Sequence, residues 1–328
     1  MTKKGFNPWE SIIKFFSEPE APKEVQEGFG MIEAAPGPDD YTLGGPRQAL
    51  KTILSRERDY TAYYPPHERQ KRNGLDSYSC VVFSGLNAIE TIFKAKFGID
   101  INFSDKYIAA LIPVTPYRGT TYSKFWDTVR KYGLVLEEDW PWTDEDTPGE
   151  YLKRPPDSVI AKGQEFLKVY DIQHEWVDWG GCDPNKLYEA LQYGPLQISV
   201  NAGALYTRKY NPAINHSIML GKSLKGKKHF AVDHYSRPVH ELPWNFYFGS
   251  AKQVSVIKKK EIVLVKVWGL PPVYAVISGK ACHISDEYSW QYGAKLGIWS
   301  GEGGAIEQYT KQSFDSKFTV GKAISFKK

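Results

Sequence analysis

Among residue types that do covalent chemistry, the 328-residue chain offers three cysteines, Cys80, Cys182 and Cys282. Cys80 heads SYSCVVFSGLNAIETIF, residues 77–93, an apolar run with helical spacing. Free backbone N–H groups and the dipole at a helix start favour a thiolate, which becomes a nucleophile when a base stands across from it. Taken alone this is a weak signal, since a lone cysteine in such a run is more often a small core residue. His216 and Asp233 change the odds. His216 opens the strand-like run HSIMLGK, and Asp233 follows in the next such run, HFAVDHY. Two strands joined as a hairpin set such side chains next to each other. A carboxylate on one imidazole nitrogen orients the ring and leaves the other nitrogen for a thiol.

These three residues need elements to hold them. Phe83, Leu86, Ile89, Ile92 and Phe93 recur at helical spacing and predict a helix over 80–97. Further helices are expected at 104–112, capped by Ser104, at 121–132, ending before Gly133, and at 157–168 and 184–193. After Gly194 the pattern changes to short β-branched and aromatic runs at 196–202, 216–222, 229–235, 246–251 and 255–259. Helices followed by antiparallel strands predict an α+β domain with a helical lobe and a sheet lobe. It is expected to span 41–259, with one helix at about 46–56 and a loop, PPHERQKRNG, before Cys80. Ahead of it, residues 1–40 read as a short amphipathic helix at 7–16 and then an extended arm rich in Pro, Gly and acid. Residues 260–328 alternate strand-like runs with Gly-rich turns and are expected to form a small β-rich module.

The chain resembles the papain family of cysteine peptidases, in order along roughly residues 60–258. YSCVVFS (78–84) resembles the family's Gly-Ser-Cys-Trp-Ala-Phe-Ser nucleophile motif, and INHSIMLGKS (214–223) resembles the motif around its catalytic His. GPLQISVNA (194–202) is similar to the strand preceding that His, GLVLEEDWPW (133–142) to the segment closing the helical lobe, and DHY (233–235) stands where the family has Asn-Ser-Trp. The resemblance implies a papain-like two-lobe fold with Cys80 as nucleophile and His216 as its ion-pair partner and general acid/base. Asp233 then replaces the orienting Asn, and Tyr235 the Trp that shields that hydrogen bond. It implies an oxyanion donor in the loop before Cys80, with Gln70 or Asn73 as the side chain beside the Cys80 backbone N–H. Gly119, in YRGTTY, stands where the family pairs with substrate backbone, and Asn215 lies next to the catalytic His. Val81 replaces the Trp after the nucleophile, and an Asp in third place fits either catalysis or a retired site. The pattern from Pro65 to Glu90 also resembles papain-like proteins of tailed bacteriophages, which implies a virion or host-cytoplasm setting.

Other function classes are disfavoured. A formal net charge of +4 is too weak for a nucleic-acid partner, and Lys258–Lys260 reads as a solvated turn. Three distant cysteines without CxxC indicate neither a zinc site nor a disulfide framework and fit a reducing compartment. No metal or cofactor is expected. The N-terminus lacks a convincing signal peptide, and no apolar run reaches membrane-span length. Cys182 reads as a turn residue, the Cys282-His283 pair as opposite faces of a strand, and His229, His234 and His240 as surface or core residues. The acidic run Glu137–Asp139 is expected to be a solvated turn. The partner expected is a peptide or protein substrate, with other virion proteins meeting the N-terminal arm and C-terminal module. The alternatives are a catalytically idle papain-like scaffold in a virion and, from another class, a compact Cys-His peptidoglycan amidase.

Overall fold

A computed structural model describes residues 30–37, 40–43, 52–112, 119–207, 209–235, 237–259, 263–277, 280–299 and 306–326. The expected helix at 7–16 and most of that at 46–56 lie outside the described residues, and 52–56 are not helical.

The first long helix, α1, spans Cys80–Phe97. Every residue from Cys80 to Phe93 is buried, so α1 is covered on all sides. It stops at Gly98, whose left-handed backbone (φ 69°) lets its N–H bond back to the Lys94 and Phe93 carbonyls. Gly85 makes room for a neighbour, because a Cβ there would lie 2.2 Å from the Phe125 ring. Helices α2 (Asp105–Leu111) and α3 (Tyr122–Tyr132) follow, capped by the Ser104 and Thr121 side chains. Then come α4 (Asp157–Val169) and α5 (Pro184–Ala190), the latter capped by Asp183.

The sheet lobe is a six-stranded antiparallel sheet. Its strands are β1 (Tyr170–Trp179), β2 (Leu196–Val200), β3 (His216–Leu224), β4 (Lys228–Val232), β5 (Val239–Pro243) and β6 (Ser250–Lys258). Their spatial order is β1-β6-β2-β3-β4-β5. The α+β arrangement of a helical lobe and a sheet lobe expected above is thus present, with one difference: β1 precedes α5, so helices and strands are not cleanly segregated. The run expected at 246–251 begins as a loop and becomes strand only at Ser250. Residues 41–43 hydrogen-bond to Trp176 on β1, at the sheet's edge.

The described residues between 263 and 326 include a second, five-stranded sheet and helices Glu287–Lys295 and Lys311–Lys317. Tyr292, Leu296, Trp299 and Phe326 join the same apolar cluster as α1 and α4. This corrects the reading of Glu137–Asp139 as a solvated turn. Asp139 is buried against Lys162 at 2.5 Å and accepts from the Tyr292 hydroxyl, while Glu138 pairs with Lys295. The acidic turn is a seat for the C-terminal residues, which exclude water from Asp139.

Acid groups also crowd beneath α1. Glu90 accepts the Phe103 N–H at 2.7 Å, Asn102 Nδ2 donates to Glu68 at 2.9 Å, and Asp105 is fully enclosed. Burial first, then the neighbouring Glu68 charge, holds the Glu90 and Asp105 carboxyls well above the usual range. A raised folded-state value means that stability is present at low pH and lost as pH rises toward that value. Glu90→Gln should therefore raise Tm by about 1–2 °C at pH 8, corresponding to about 1 kcal/mol in a chain of this length, and change it little at pH 5. Thermal unfolding at the two pH values checks this.

Candidate active site

Cys80 is the first residue of α1, and His216 the first of β3. Asp233 directly follows β4, whose pairing with β3 aligns Met219 with Val232. The hairpin thus returns the chain beside His216. All three side chains are buried. His216 Nε2 donates to Asp233 Oδ1 at 2.7 Å, and the Cys80 side chain lies near enough to act on the charge of the same ring. With Nε2 on the carboxylate, Nδ1 is the nitrogen left for the sulfur. Burial works against a charged ring, but the Asp233 carboxylate and then Cys80 outweigh it and push His216 up to about 10.

Asp233 is held by more than His216. Its Oδ1 also accepts the His234 backbone N–H at 2.7 Å; Oδ2 accepts the Tyr206 hydroxyl at 2.9 Å and His240 Nε2 at 3.2 Å. Burial opposes the carboxylate, yet the charge of His216 and these bonds lower its pKa. Tyr206 was not singled out in the sequence, and His240 was assigned a surface or core role. The only signal was the His-rich neighbourhood of Asp233, and only the pairing of β4 with β5, Ala231 opposite His240, brings that ring to the carboxylate. His229 and His234 are core residues. His229 bonds Ser223 and Trp244, while His234 packs on Phe83, and burial pushes them down to about 4 and about 3.

The Tyr235 ring lies 5.4 Å from the His216 ring. Its hydroxyl donates to Asp76 Oδ2 at 2.8 Å and accepts from Gln70 Nε2 at 2.7 Å. Gln70 is buried in the same cluster, but its amide also donates to Asp76 Oδ1 at 3.1 Å, so these bonds leave no amide hydrogen for a substrate oxygen. Asn73 sits on the exposed turn after Gln70 and donates to the Asp144 carbonyl.

Gly119 and Asn215 flank the chain's own arm. The Met31 N–H donates to the Asn215 carbonyl at 3.3 Å; the Thr120 N–H donates to Gly30, and the Ile32 N–H to Thr120, both at 2.9 Å. Gly119 has φ 64°, and a Cβ there would lie 1.9 Å from the Gly30 oxygen, so the close approach needs glycine. Gly30 in turn presses on Tyr78, where a Cβ would lie 2.0 Å from the carbonyl oxygen. Residues 30–32 therefore lie between the two lobes beside Cys80 and His216.

A buried polar network joins the lobes behind the pair. Gln197 donates to the Val81 carbonyl at 2.8 Å and to Ser84 Oγ at 3.0 Å, and accepts from Trp126 Nε1. The Ser84 and Ser217 hydroxyls are 2.7 Å apart. No cysteine is disulfide-bonded, and among the described residues no cluster of His, Cys, Asp and Glu is arranged for a metal.

The fold is that of the papain-like cysteine proteases. Xylellain, a cysteine protease from Xylella fastidiosa, superposes with a TM-score of 0.55 at 15% identity, over 72% of this chain and 99% of that one. The bromelain protease from Ananas comosus gives 0.45 at 12% identity, over 60% and 97%. A Carica candamarcensis cysteine protease gives 0.45 at 15%, over 62% and 98%. No protein-family model matches the chain, and no curated protein does.

Removing the Asp233 carboxyl strands three side-chain donors in the interior. Asp233→Ala should cost about 3–5 kcal/mol in urea unfolding at pH 7. Asp233→Asn should cost less, about 1–2 kcal/mol, because the Tyr206 hydroxyl and the His240 ring can exchange donor and acceptor roles. Equal costs for the two variants would contradict the arrangement.

Proposed function

We propose that the protein is a thiol peptidase in which Cys80 attacks a peptide carbonyl, His216 carries the proton and Asp233 holds the ring. The observation that carries this reading is the single imidazole between the Cys80 sulfur and the buried Asp233 carboxylate. The papain-like fold supports it. The Cys80 thiolate forms the S–C bond while the carbonyl electrons move to oxygen, next to the N–H at the start of α1. His216 Nδ1 gives its proton to the departing amine as the C–N bond breaks and a thioester remains. The same nitrogen then takes a proton from water, which attacks the thioester and releases the acid and the thiolate. The segment at Gly119 and Thr120 takes substrate backbone where it now takes residues 30–32. Substrate must therefore displace the arm. The bonds already made by Gln70 leave the Cys80 N–H as the donor that needs no rearrangement.

The resemblance of residues 65–90 to phage papain-like proteins suggests a virion or host-cell setting, with a structural protein or a wall peptide as substrate. An idle scaffold in a virion is the second reading, favoured by the buried pair and by the bonds of Gln70.

Three variants test the first reading. Cys80→Ala should abolish peptide hydrolysis and labelling by an epoxide thiol trap. Gly30→Ala should drive the arm off Tyr78 and speed Cys80 labelling about tenfold, equivalent to about 1.4 kcal/mol of arm docking. Gly119→Ala should also speed labelling but lower kcat/KM, because the same Cβ obstructs substrate. Labelling rates and steady-state kinetics read these effects, and an unlabelled Cys80 in all folded variants supports the idle scaffold.

A further inference from the structure

Two residues beyond Met31, the side chain of Glu33 turns to the floor of the sheet lobe. In an extended segment, residues 31 and 33 share a side, so the backbone bonds of residues 30–32 set where this side chain enters. Its outer side is open to solvent, but its tip meets buried groups. Ser199 Oγ lies 3.4 Å from Glu33 Oε1, and the Ser250 hydroxyl, 2.8 Å from that of Ser199, acts on the same carboxyl. Gly249 supplies the space, since a Cβ there would lie 2.5 Å from Oε1 and as close to the Ile214 side chain. Tyr122, Cys182 and Tyr247 are the other titratable groups nearby. Among the described residues, no Lys, Arg or His pairs with Glu33.

The hydroxyl pair has a definite valence. Ser199 Oγ accepts the Ser250 N–H at 2.7 Å, and the two hydroxyls bond each other at 2.8 Å. Whichever of them donates to the other, these bonds leave one O–H and two oxygen lone pairs unused. A carboxylate can use the O–H but has no hydrogen for a lone pair, and no cation offsets its charge. A carboxamide can take the O–H with its oxygen and offer an N–H to a lone pair. Burial accordingly raises the Glu33 carboxyl despite its two hydroxyl partners.

We propose that Ser199, Ser250, Gly249 and Ile214 form a side-chain pocket that selects an uncharged amide, a glutamine, in a peptide lying along Gly119 and Asn215, with Glu33 as its weaker resident. This rests on the peptidase reading for its use and deepens it by naming a substrate feature. The pocket chemistry is measured without turnover.

Hydrogen–deuterium exchange over residues 29–36 of the full chain reads arm docking. At pH 7.5, Glu33→Gln should slow exchange of the bonded amides at least fivefold, while Glu33→Leu and Glu33→Lys should speed it. At pH 5 the unaltered chain should approach Glu33→Gln. Ser250→Ala, or Ser199→Ala if the first fails to fold, should erase the advantage of Gln over Glu. A peptide of residues 29–36 carrying Gln for Glu33, added in excess, should speed arm exchange by displacement, and its Lys counterpart should not. Equal exchange in the Gln and Leu variants, or displacement by the Lys peptide as readily as by the Gln peptide, overturns the pocket. Absence of Cys80-dependent hydrolysis with the exchange ranking intact overturns only the peptidase reading.

Discussion

A carboxylate without water must find all its hydrogen bonds in the protein, and Asp233 does so on four sides. His216, the His234 backbone, Tyr206 and His240 converge on two oxygens. An ion buried this completely is tolerated only when geometry and partners are both good. The β3–β4–β5 strands supply that geometry, since their register brings His216 and His240 to the two sides of one side chain. The direction and charge of His216 are consequences. An amide in this position would leave the ring oriented but with less reason to be charged.

The other half of the site comes from α1, whose first residue must be delivered to that ring. The helix is buried along its first four turns, and Gln197 of β2 bonds both its Val81 carbonyl and Ser84. Ser84 meets Ser217, the residue after His216. Cys80 and His216 are thus tied together one step behind the site, through groups that are themselves satisfied. Buried networks of this kind rigidify when complete. In front, residues 30–32 are held by a few backbone bonds, so in the proposed reaction they are the part that yields to substrate.

Much of this was legible in the sequence. The apolar spacing that predicts a helix over 80–97 matches Cys80–Phe97, because a fully buried helix must be apolar throughout and Gly98 ends it. The Cys80, His216 and Asp233 alignment was visible through motif order. The rest was hidden for physical reasons. Strand β1, with Asp171, His174, Glu175 and Asp178 among its residues, carries too many polar groups to look like a strand, and three of them, His174, Glu175 and Asp178, are buried, His174 beside Lys252 and Asp178 beside Lys186, in contacts that only the fold creates. The helices at 287–295 and 311–317 are short and weakly patterned, so their Gly- and aromatic-rich surroundings looked entirely like strand and turn. Asp139 looked solvated because its cover, Tyr288 and Tyr292, lies far along the chain. Tyr206 and His240 carry no local signature, since their role exists only once Asp233 is buried between them.

Everything at the site turns on His216 being an imidazolium at neutral pH, held so by Asp233. Nitrogen-15 NMR of the histidine rings in the full chain tests it most directly. The account predicts that both His216 nitrogens are protonated at pH 7.5, with a midpoint near 10. A His216 that is neutral at pH 7.5, with a midpoint at or below the ordinary histidine value of about 6.5, would contradict it.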